Sequence, residues 1–75
     1  MHFSTWLWEQ MEEPGRIGFI SNVCWKDVNN GCAHVKFDAH KWVAHIKARH
    51  PEQKDMLVPL IVEAFQAYTL YLSKN

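Results

Sequence analysis

The sequence predicts a single all-α domain, a compact bundle of four helices over residues 1–75. Apolar residues recur at steps of three and four along four segments, which is the spacing of one helix face. Turn-forming Pro, Gly and Asn residues separate these segments, and the one short alternating stretch has no second strand to pair with. Seventy-five residues leave room for one domain, and a content of 48% hydrophobic and 13% aromatic residues is typical of a folded chain.

The first predicted helix runs from Ser4 to about Glu13. Ser4 is a good N-cap residue, and Phe3 before it can form one half of a hydrophobic staple. Pro14-Gly15 ends the helix, because both residues are strong helix breakers. The positions that follow helical spacing on its inner face are Phe3, Trp6, Leu7, Gln10 and Met11.

The second predicted helix runs from Arg16 to Asp27 and stops at the turn Asn29-Asn30-Gly31. A strand is disfavoured because residues 17–20 do not sustain an alternating pattern. Gly18 costs the helix about 1 kcal/mol relative to Ala. The residues that share its apolar face are Ile17, Ile20, Val23 and Cys24.

A connector and a third helix follow. Residues 32–37 alternate briefly, but without a partner strand they are expected to form an ordered connector with Val35 and Phe37 anchored in the core. Asp38 caps the third helix, from Ala39 to about Arg49. His50-Pro51 closes it, because a residue before Pro avoids the helical region. The predicted buried face is Trp42 and Ile46, with His45 or Val43.

The fourth predicted helix is the longest and runs from about Met56 to Ser73. Pro59 fits a helix best in its first turn, so the start is expected between Gln53 and Val58. An apolar stripe at three- and four-residue steps predicts which face packs against the other helices. The stripe consists of Leu57, Leu60, Ile61, Ala64, Phe65, Tyr68 and Leu72.

A series of short motifs resembles the small YozE-type SAM-like family. The motifs, one on each helix, are Phe3-x-x-Trp6-Leu7, Ile17-Gly18, Trp42-x-x-His45-Ile46 and Ile61-x-x-x-Phe65-x-x-Tyr68. The resemblance covers nearly the whole chain, in the same order and spacing. The family's acidic or small residue after Ile-Gly is Phe19 here, and Asn30-Gly31-Cys32 replaces its Phe-Pro, so the chain resembles a divergent member. The resemblance implies a four-helix SAM-like fold of bacterial or phage origin, with no established enzymatic activity and no accepted ligand.

Charge is balanced over the chain but is distributed unevenly. Eight Lys and Arg residues against eight Asp and Glu residues give a net charge of zero, which removes the main argument for nonspecific binding to nucleic acid. The first helix is acidic, however, and the third is basic. A basic face on the third helix predicts, as the alternative function, nucleic-acid binding through Lys41, Lys47, Arg49 and Lys54.

Metal binding and catalysis are the least favoured functions. Cys24, Cys32 and His34 are the alternative metal ligands, but zinc sites usually contain a tighter pair than two cysteines eight positions apart. His40, His45 and His50 are spaced by five, which rotates each by roughly 140° on a helix and predicts that they share no face. A domain of this size does not readily enclose a catalytic cleft. We therefore expect no enzyme, no cofactor and no metal.

Protein binding is the function that the sequence favours. Trp8, Trp25 and Tyr71 do not fit the buried stripes of their helices, and exposed Trp and Tyr are enriched at interface hot spots. A protein partner is therefore expected. The acidic first helix and basic third helix also permit head-to-tail self-association.

The expected compartment is the cytoplasm. The start of the chain lacks the basic and apolar regions of a signal peptide, and no apolar run approaches the roughly 20 residues of a membrane span, so no membrane partner is expected. The two cysteines, Cys24 and Cys32, allow one disulfide at most, and in a reducing cytoplasm both thiols are expected to be free.

Overall fold

Four α-helices form the fold in the computed structural model, which describes residues 2–74. Residues 2–74 contain no strand, so the predicted all-α, four-helix architecture is confirmed. The third helix has the predicted bounds, and the second continues two residues beyond its predicted end. The helices are α1 (Phe3–Glu9), α2 (Arg16–Asn29), α3 (Ala39–Arg49) and α4 (Lys54–Ser73).

The longest helix, α4, organises the bundle, because it packs against each of the other three. Large apolar side chains from all four helices meet along it and leave almost no exposed surface. Burial of this area is the main favourable term in the folding of a small domain. The core consists of Phe3, Trp6, Leu7, Ile20, Cys24, Trp42, Ile46, Leu57, Ile61, Ala64 and Tyr68.

The start of α1 differs from the prediction. Its N-cap is His2, whose Nδ1 accepts a hydrogen bond from the Ser4 backbone N–H at 3.1 Å. Ser4 lies inside the helix and is fully buried. Its hydroxyl donates to the carbonyl of Phe37 and accepts from the indole Nε1 of Trp42 at 2.8 Å. Ser4 was the wrong cap because its hydroxyl instead joins α1 to the connector and to α3.

The connection between α1 and α2 is longer than the sequence indicated. α1 ends at Glu9 rather than near Glu13, and residues 10–15 form turns and bends. α2 then approaches so closely that a Cβ on Gly18 would lie 1.8 Å from the carbonyl oxygen of Glu13. A glycine is therefore required at this position, although it lowers helix propensity.

The connector between α2 and α3 is ordered, as predicted, but only part of it is anchored. Phe37 is half-buried, with its ring edge-to-face against Trp42 at 5.2 Å. Val35 is 38% exposed, contrary to the expectation that it lies in the core. Its carbonyl, rather than its side chain, holds the connector, because it accepts a hydrogen bond from Trp8 Nε1 at 3.0 Å. Asp38 caps α3 as predicted, accepting from the backbone N–H of Lys41 at 2.8 Å.

The helix α4 begins at Lys54, within the predicted range, but Pro59 is its sixth residue and so lies beyond the first turn where it was expected. Leu57, Ile61, Ala64 and Tyr68 are buried as predicted. Phe65 and Leu72, assigned to the same stripe, are instead 40% and 43% exposed. The other helices cover only the part of α4 that carries residues 57, 61, 64 and 68. Side chains at the edge of the stripe therefore remain partly in solvent.

Candidate functional site

An uncovered row of apolar residues on α4 is the most prominent surface feature. Val62, Phe65 and Leu72 are 46%, 40% and 43% exposed, and Thr69 lies between them. Their spacing of three, four and three residues places them within an arc of roughly 80° on one side of the helix. This is the spacing with which one helix pairs with another. We call Val62, Phe65, Thr69 and Leu72 the α4 seam.

Beside the α4 seam lies a shallow groove between α3 and α4. Its volume is about 270 Å³, and Val62 and Phe65 from α4 face His40 and Val43 from α3. No Asp, Glu, Lys or Arg side chain lines it. Contiguous apolar surface without charge is characteristic of protein contact sites rather than of surfaces exposed only to water.

The α4 seam can be covered without breaking hydrogen bonds. The hydroxyl of Thr69 donates to the carbonyl oxygen of Gln66 at 2.8 Å, so it needs no donor contact with a partner. The ring of Phe65 is held edge-to-face against Phe3 at 5.7 Å and tilted against Tyr68 at 6.0 Å. A partner would therefore meet a surface that already has a fixed shape, which lowers the entropic cost of binding.

The three aromatic residues predicted to contact a partner lie in two places. Trp8 and Trp25 are half-buried and pack edge-to-face at 5.0 Å, and Trp8 also packs against buried Trp42 at 5.9 Å. Tyr71 is 37% exposed and lies beside Trp6 at 6.5 Å. Trp6 and Trp8 point to nearly opposite sides of α1, roughly 160° apart, so the three residues do not form one patch.

The predicted basic residues are all exposed but do not share a direction. Lys41, Lys47 and Arg49 lie on α3, where successive residues rotate by about 100°. Lys47 and Arg49 therefore project roughly 160° apart. Lys47 and Lys54 do line one shallow cleft, together with Asp55, whose carboxylate offsets part of their charge. A continuous basic face of the kind that follows a phosphate backbone is not formed by these residues.

The alternative metal ligands Cys24, Cys32 and His34 are not brought together. Cys24 is in the core, where burial and the nearby negative charge of Asp27 raise the pKa of its thiol well above the ordinary value. Cys32 is half-buried, with its thiol 3.7 Å from the carbonyl of Asn30, and both cysteines are free. In residues 2–74, one group of three side chains of the His, Cys, Asp and Glu types has its ligand atoms within 4.8 Å of one another. Cys24, Cys32 and His34 do not belong to it.

That group is Asp27, His45 and His50, which the sequence did not predict. The Nε2 atoms of His45 and His50 each lie 2.7 Å from Oδ2 of Asp27, and Asp27 is only 7% exposed. The two histidines converge because His50 is the C-cap of α3, with φ −124° and ψ 59°, and so leaves the helical path. Burial alone would raise the pKa of Asp27, but hydrogen bonds and positive charge from the two histidines lower it below its ordinary value.

Helix α4 is also long and apolar enough to cross a membrane, judged by length and composition alone. It has 20 residues and a mean hydropathy of 1.3, and no other helix in residues 2–74 meets both criteria. No apolar run of this length is predicted from the sequence, so the apolar character of α4 over 20 residues is a correction to that expectation. The core helix of a folded domain satisfies the same criteria, and Leu57, Ile61, Ala64 and Tyr68 of α4 are buried in the bundle. The expectation that no membrane is bound stays a prediction.

Comparison of the chain with known proteins returns no relative. No family model matches it, no curated protein matches it, and no solved structure matches it. The four-helix architecture is shown by the structure itself. The resemblance to the YozE-type SAM-like family, and the SAM-like topology and the bacterial or phage origin that it implies, stay predictions.

Proposed function

We propose that this domain is a small protein-interaction module without chemistry of its own, and that the α4 seam is its contact surface. The observation that supports it is the uncharged row Val62, Phe65 and Leu72, exposed beside the face of α4 that forms the core. Burying such side chains contributes about 25 cal/mol for each Å² of apolar surface. In the monomer these side chains are in contact with water, so this contribution is gained only when another helix covers them.

A protein helix fits the α4 seam better than a lipid surface or a nucleic acid. Helices that lie in a membrane interface carry Lys and Arg along their polar face, whereas the only basic residue within α4 is Lys54, at its first position. Nucleic acid requires a cationic path, and Lys47 and Arg49 point in nearly opposite directions. The spacing of three and four residues and the lack of charge both favour an apolar helix as partner.

The first occupant that we propose is a second copy of this chain. In a symmetric pair each residue of the seam faces the same surface of its partner. Like charges would then repel, but Val62, Phe65, Thr69 and Leu72 are uncharged, and so are Gln66 and Ser73 beside them. A pair formed by two α4 helices therefore buries apolar surface without bringing like charges together. Trp8, Trp25 and Tyr71 remain candidates for contact with a different protein.

Sedimentation equilibrium tests this proposal with purified protein between about 1 µM and about 1 mM. The wild-type chain is expected to be a reversible dimer over part of this range. Val62→Glu should make it monomeric, because the buried carboxylate would face its own copy across the pair. Leu70→Glu is the matched control, because Leu70 is 61% exposed on the same helix but lies outside the seam. It should dimerise as the wild type does.

Three further measurements control for folding and separate the proposal from its competitors. Circular dichroism must show equal helicity in the two variants, so that loss of the dimer is not loss of the fold. Flotation with phospholipid vesicles that depends on Val62 would identify a membrane surface instead. A mobility shift that weakens steeply with salt and is lost in a Lys47→Ala, Arg49→Ala double variant would identify nucleic acid. A wild type that stays monomeric up to about 1 mM contradicts the second copy as occupant.

A further inference from the structure

We propose that Asp27, His45 and His50 form a binding site for a single Zn²⁺ ion. The three side chains come from three separate places: the last turn of α2, the middle of α3, and the turn that follows α3. Their ligand atoms all lie within 4.8 Å of one another. The side chains of Asp27 and His45 are each only 9% exposed. The donor atoms are therefore gathered in a defined position rather than dispersed over the surface.

The donor set has the chemistry that Zn²⁺ requires. Imidazole nitrogens and carboxylate oxygens are among its ordinary ligands, and zinc sites with an open position hold the ion by three protein ligands and one water. The side chain of His50 is 24% exposed, whereas that of Asp27 is 9% exposed. Solvent therefore reaches the group from the His50 side and can supply the fourth ligand.

Binding needs only a small change in the geometry of the group. In the structure each Nε2 hydrogen-bonds to Oδ2 of Asp27 at 2.7 Å. Ligands bonded at about 2.0–2.1 Å in a tetrahedron lie roughly 3.3 Å apart, so the carboxylate and the rings must separate by about 0.6 Å. The proton that each Nε2 donates to Asp27 must leave before the ion binds: a neutral ring exchanges it through solvent for one on Nδ1, and a protonated ring releases it to solvent, which frees the lone pair of Nε2.

The position of Asp27 favours a cation beside it. It is the third-last residue of α2, where the exposed carbonyl groups of a helix end carry partial negative charge. A buried carboxylate at this end is unfavourable unless positive charge offsets both its own charge and that of the helix end. Hydrogen bonds and positive charge from His45 and His50 stabilise the carboxylate in the structure, and a dication held by two neutral imidazoles would take over that role. It also links α2, α3 and the following turn, so that binding would stabilise the folded chain.

Isothermal titration calorimetry of the full chain, free of any histidine tag, with Zn²⁺ alone tests the site. We expect one ion for each chain and a melting temperature that rises with zinc concentration. His50→Ala and His45→Gln should each weaken binding beyond the roughly 10- to 100-fold that loss of an outer-shell partner costs. His40→Ala is the matched control, because His40 is an exposed histidine of the same helix outside the group. It should bind zinc as the wild type does.

Two readouts keep the proposal testable if a variant fails to fold. In the wild-type chain, nitrogen NMR of the imidazoles should show that zinc shifts Nε2 of His45 and His50 and leaves His40 unchanged. Bound Co²⁺ should show tetrahedral visible bands without a thiolate charge-transfer band, because no cysteine is a ligand. The proposal is overturned by the lack of saturable binding of one ion, by a thiolate band, or by equal weakening in His40→Ala. The α4 seam contributes no ligand to this group. The outcome of the zinc experiments therefore does not affect the proposed function, which the dimerisation experiments test separately.

Discussion

Two regions of this small domain use their side chains in opposite ways. Where α1 meets α2 and α3, polar groups lie inside the protein and are hydrogen-bonded: Ser4 to Phe37 and Trp42, and Ser21 to the carbonyl of Leu7 at 2.8 Å. On the outer side of α4, apolar groups lie in solvent, with Leu70 61% and Val62 46% exposed. We call the first region the polar junction; the second contains the α4 seam.

The difference between the two regions indicates which parts of the chain are required for folding. Every buried side-chain nitrogen and oxygen in residues 2–74 has a hydrogen-bond partner. Directional bonds such as that from Trp42 to Ser4 therefore hold the connector and α3 in one position on α1. The α4 seam makes no comparable bond to another helix. Apart from the packing of Phe65 on Phe3 and Tyr68, the exposed part of the seam is available for contact with another molecule. Substitutions in the two regions should therefore behave differently.

The largest expected effect is that of Trp42→Ala in the polar junction. Trp42 is fully buried, bonds to Ser4, and packs edge-to-face against Phe37 and Trp8. Replacing a buried Trp with Ala costs about 3–5 kcal/mol, which equals the whole stability expected of a domain of this size. We therefore expect an unfolded chain, measured by loss of helical circular dichroism at room temperature.

Trp25→Ala is the control for that substitution. Trp25 is half-buried and contacts Trp8, away from the Ser4 hydrogen bond, so this variant should stay folded with a lower melting temperature. Equal melting of the wild type and Trp42→Ala would show that the polar junction does not hold the fold together.

A smaller loss in the free energy of unfolding is expected for Gly18→Ala. By helix propensity alone the change should stabilise α2 by about 1 kcal/mol. The new methyl group would, however, lie 1.8 Å from the carbonyl oxygen of Glu13, and backbone cannot give way as a flexible side chain does. Overpacking of this kind typically costs about 1–3 kcal/mol. Urea denaturation should therefore show a lower midpoint for Gly18→Ala, whereas Phe19→Ala, at the exposed neighbouring position, should change it by less than about 0.5 kcal/mol.

Local sequence signals predicted the elements of the fold well. The cap at Asp38 and the stop at His50-Pro51 are signals carried by neighbouring residues, and they placed α3 correctly. Gly18 was recognised as unfavourable for a helix, but its reason lies in a contact with Glu13, which depends on how tightly the chain turns. The sequence favours Ser4 as a cap because it does not show that the Ser4 hydroxyl accepts a hydrogen bond from Trp42.

The candidate sites depended more on tertiary structure and were predicted less well. Phe65 has the right spacing for the buried stripe of α4, but spacing cannot say how wide a face the other helices cover. The convergence of His45 and His50 on Asp27 follows from the backbone of His50, which leaves the helix at its cap. Pro51 carries a signal for this convergence, because a residue before Pro avoids the helical region. The roughly 140° rotation between residues five apart on a helix therefore does not apply to His45 and His50.

The smallest expected effect is that of Leu72→Ala on the stability of the monomer. Leu57 and Leu72 are the same residue type on the same helix, but Leu57 is 1% exposed and Leu72 is 43% exposed. Leu57→Ala should cost about 2–5 kcal/mol because it leaves a cavity in the core. Leu72→Ala should change the free energy of unfolding by less than about 0.5 kcal/mol, because it leaves none. Urea denaturation at low protein concentration, where the chain is monomeric, measures both. A loss in Leu72→Ala as large as that in Leu57→Ala would mean that the α4 seam is part of the fold, and its exposed leucine would no longer argue for a partner.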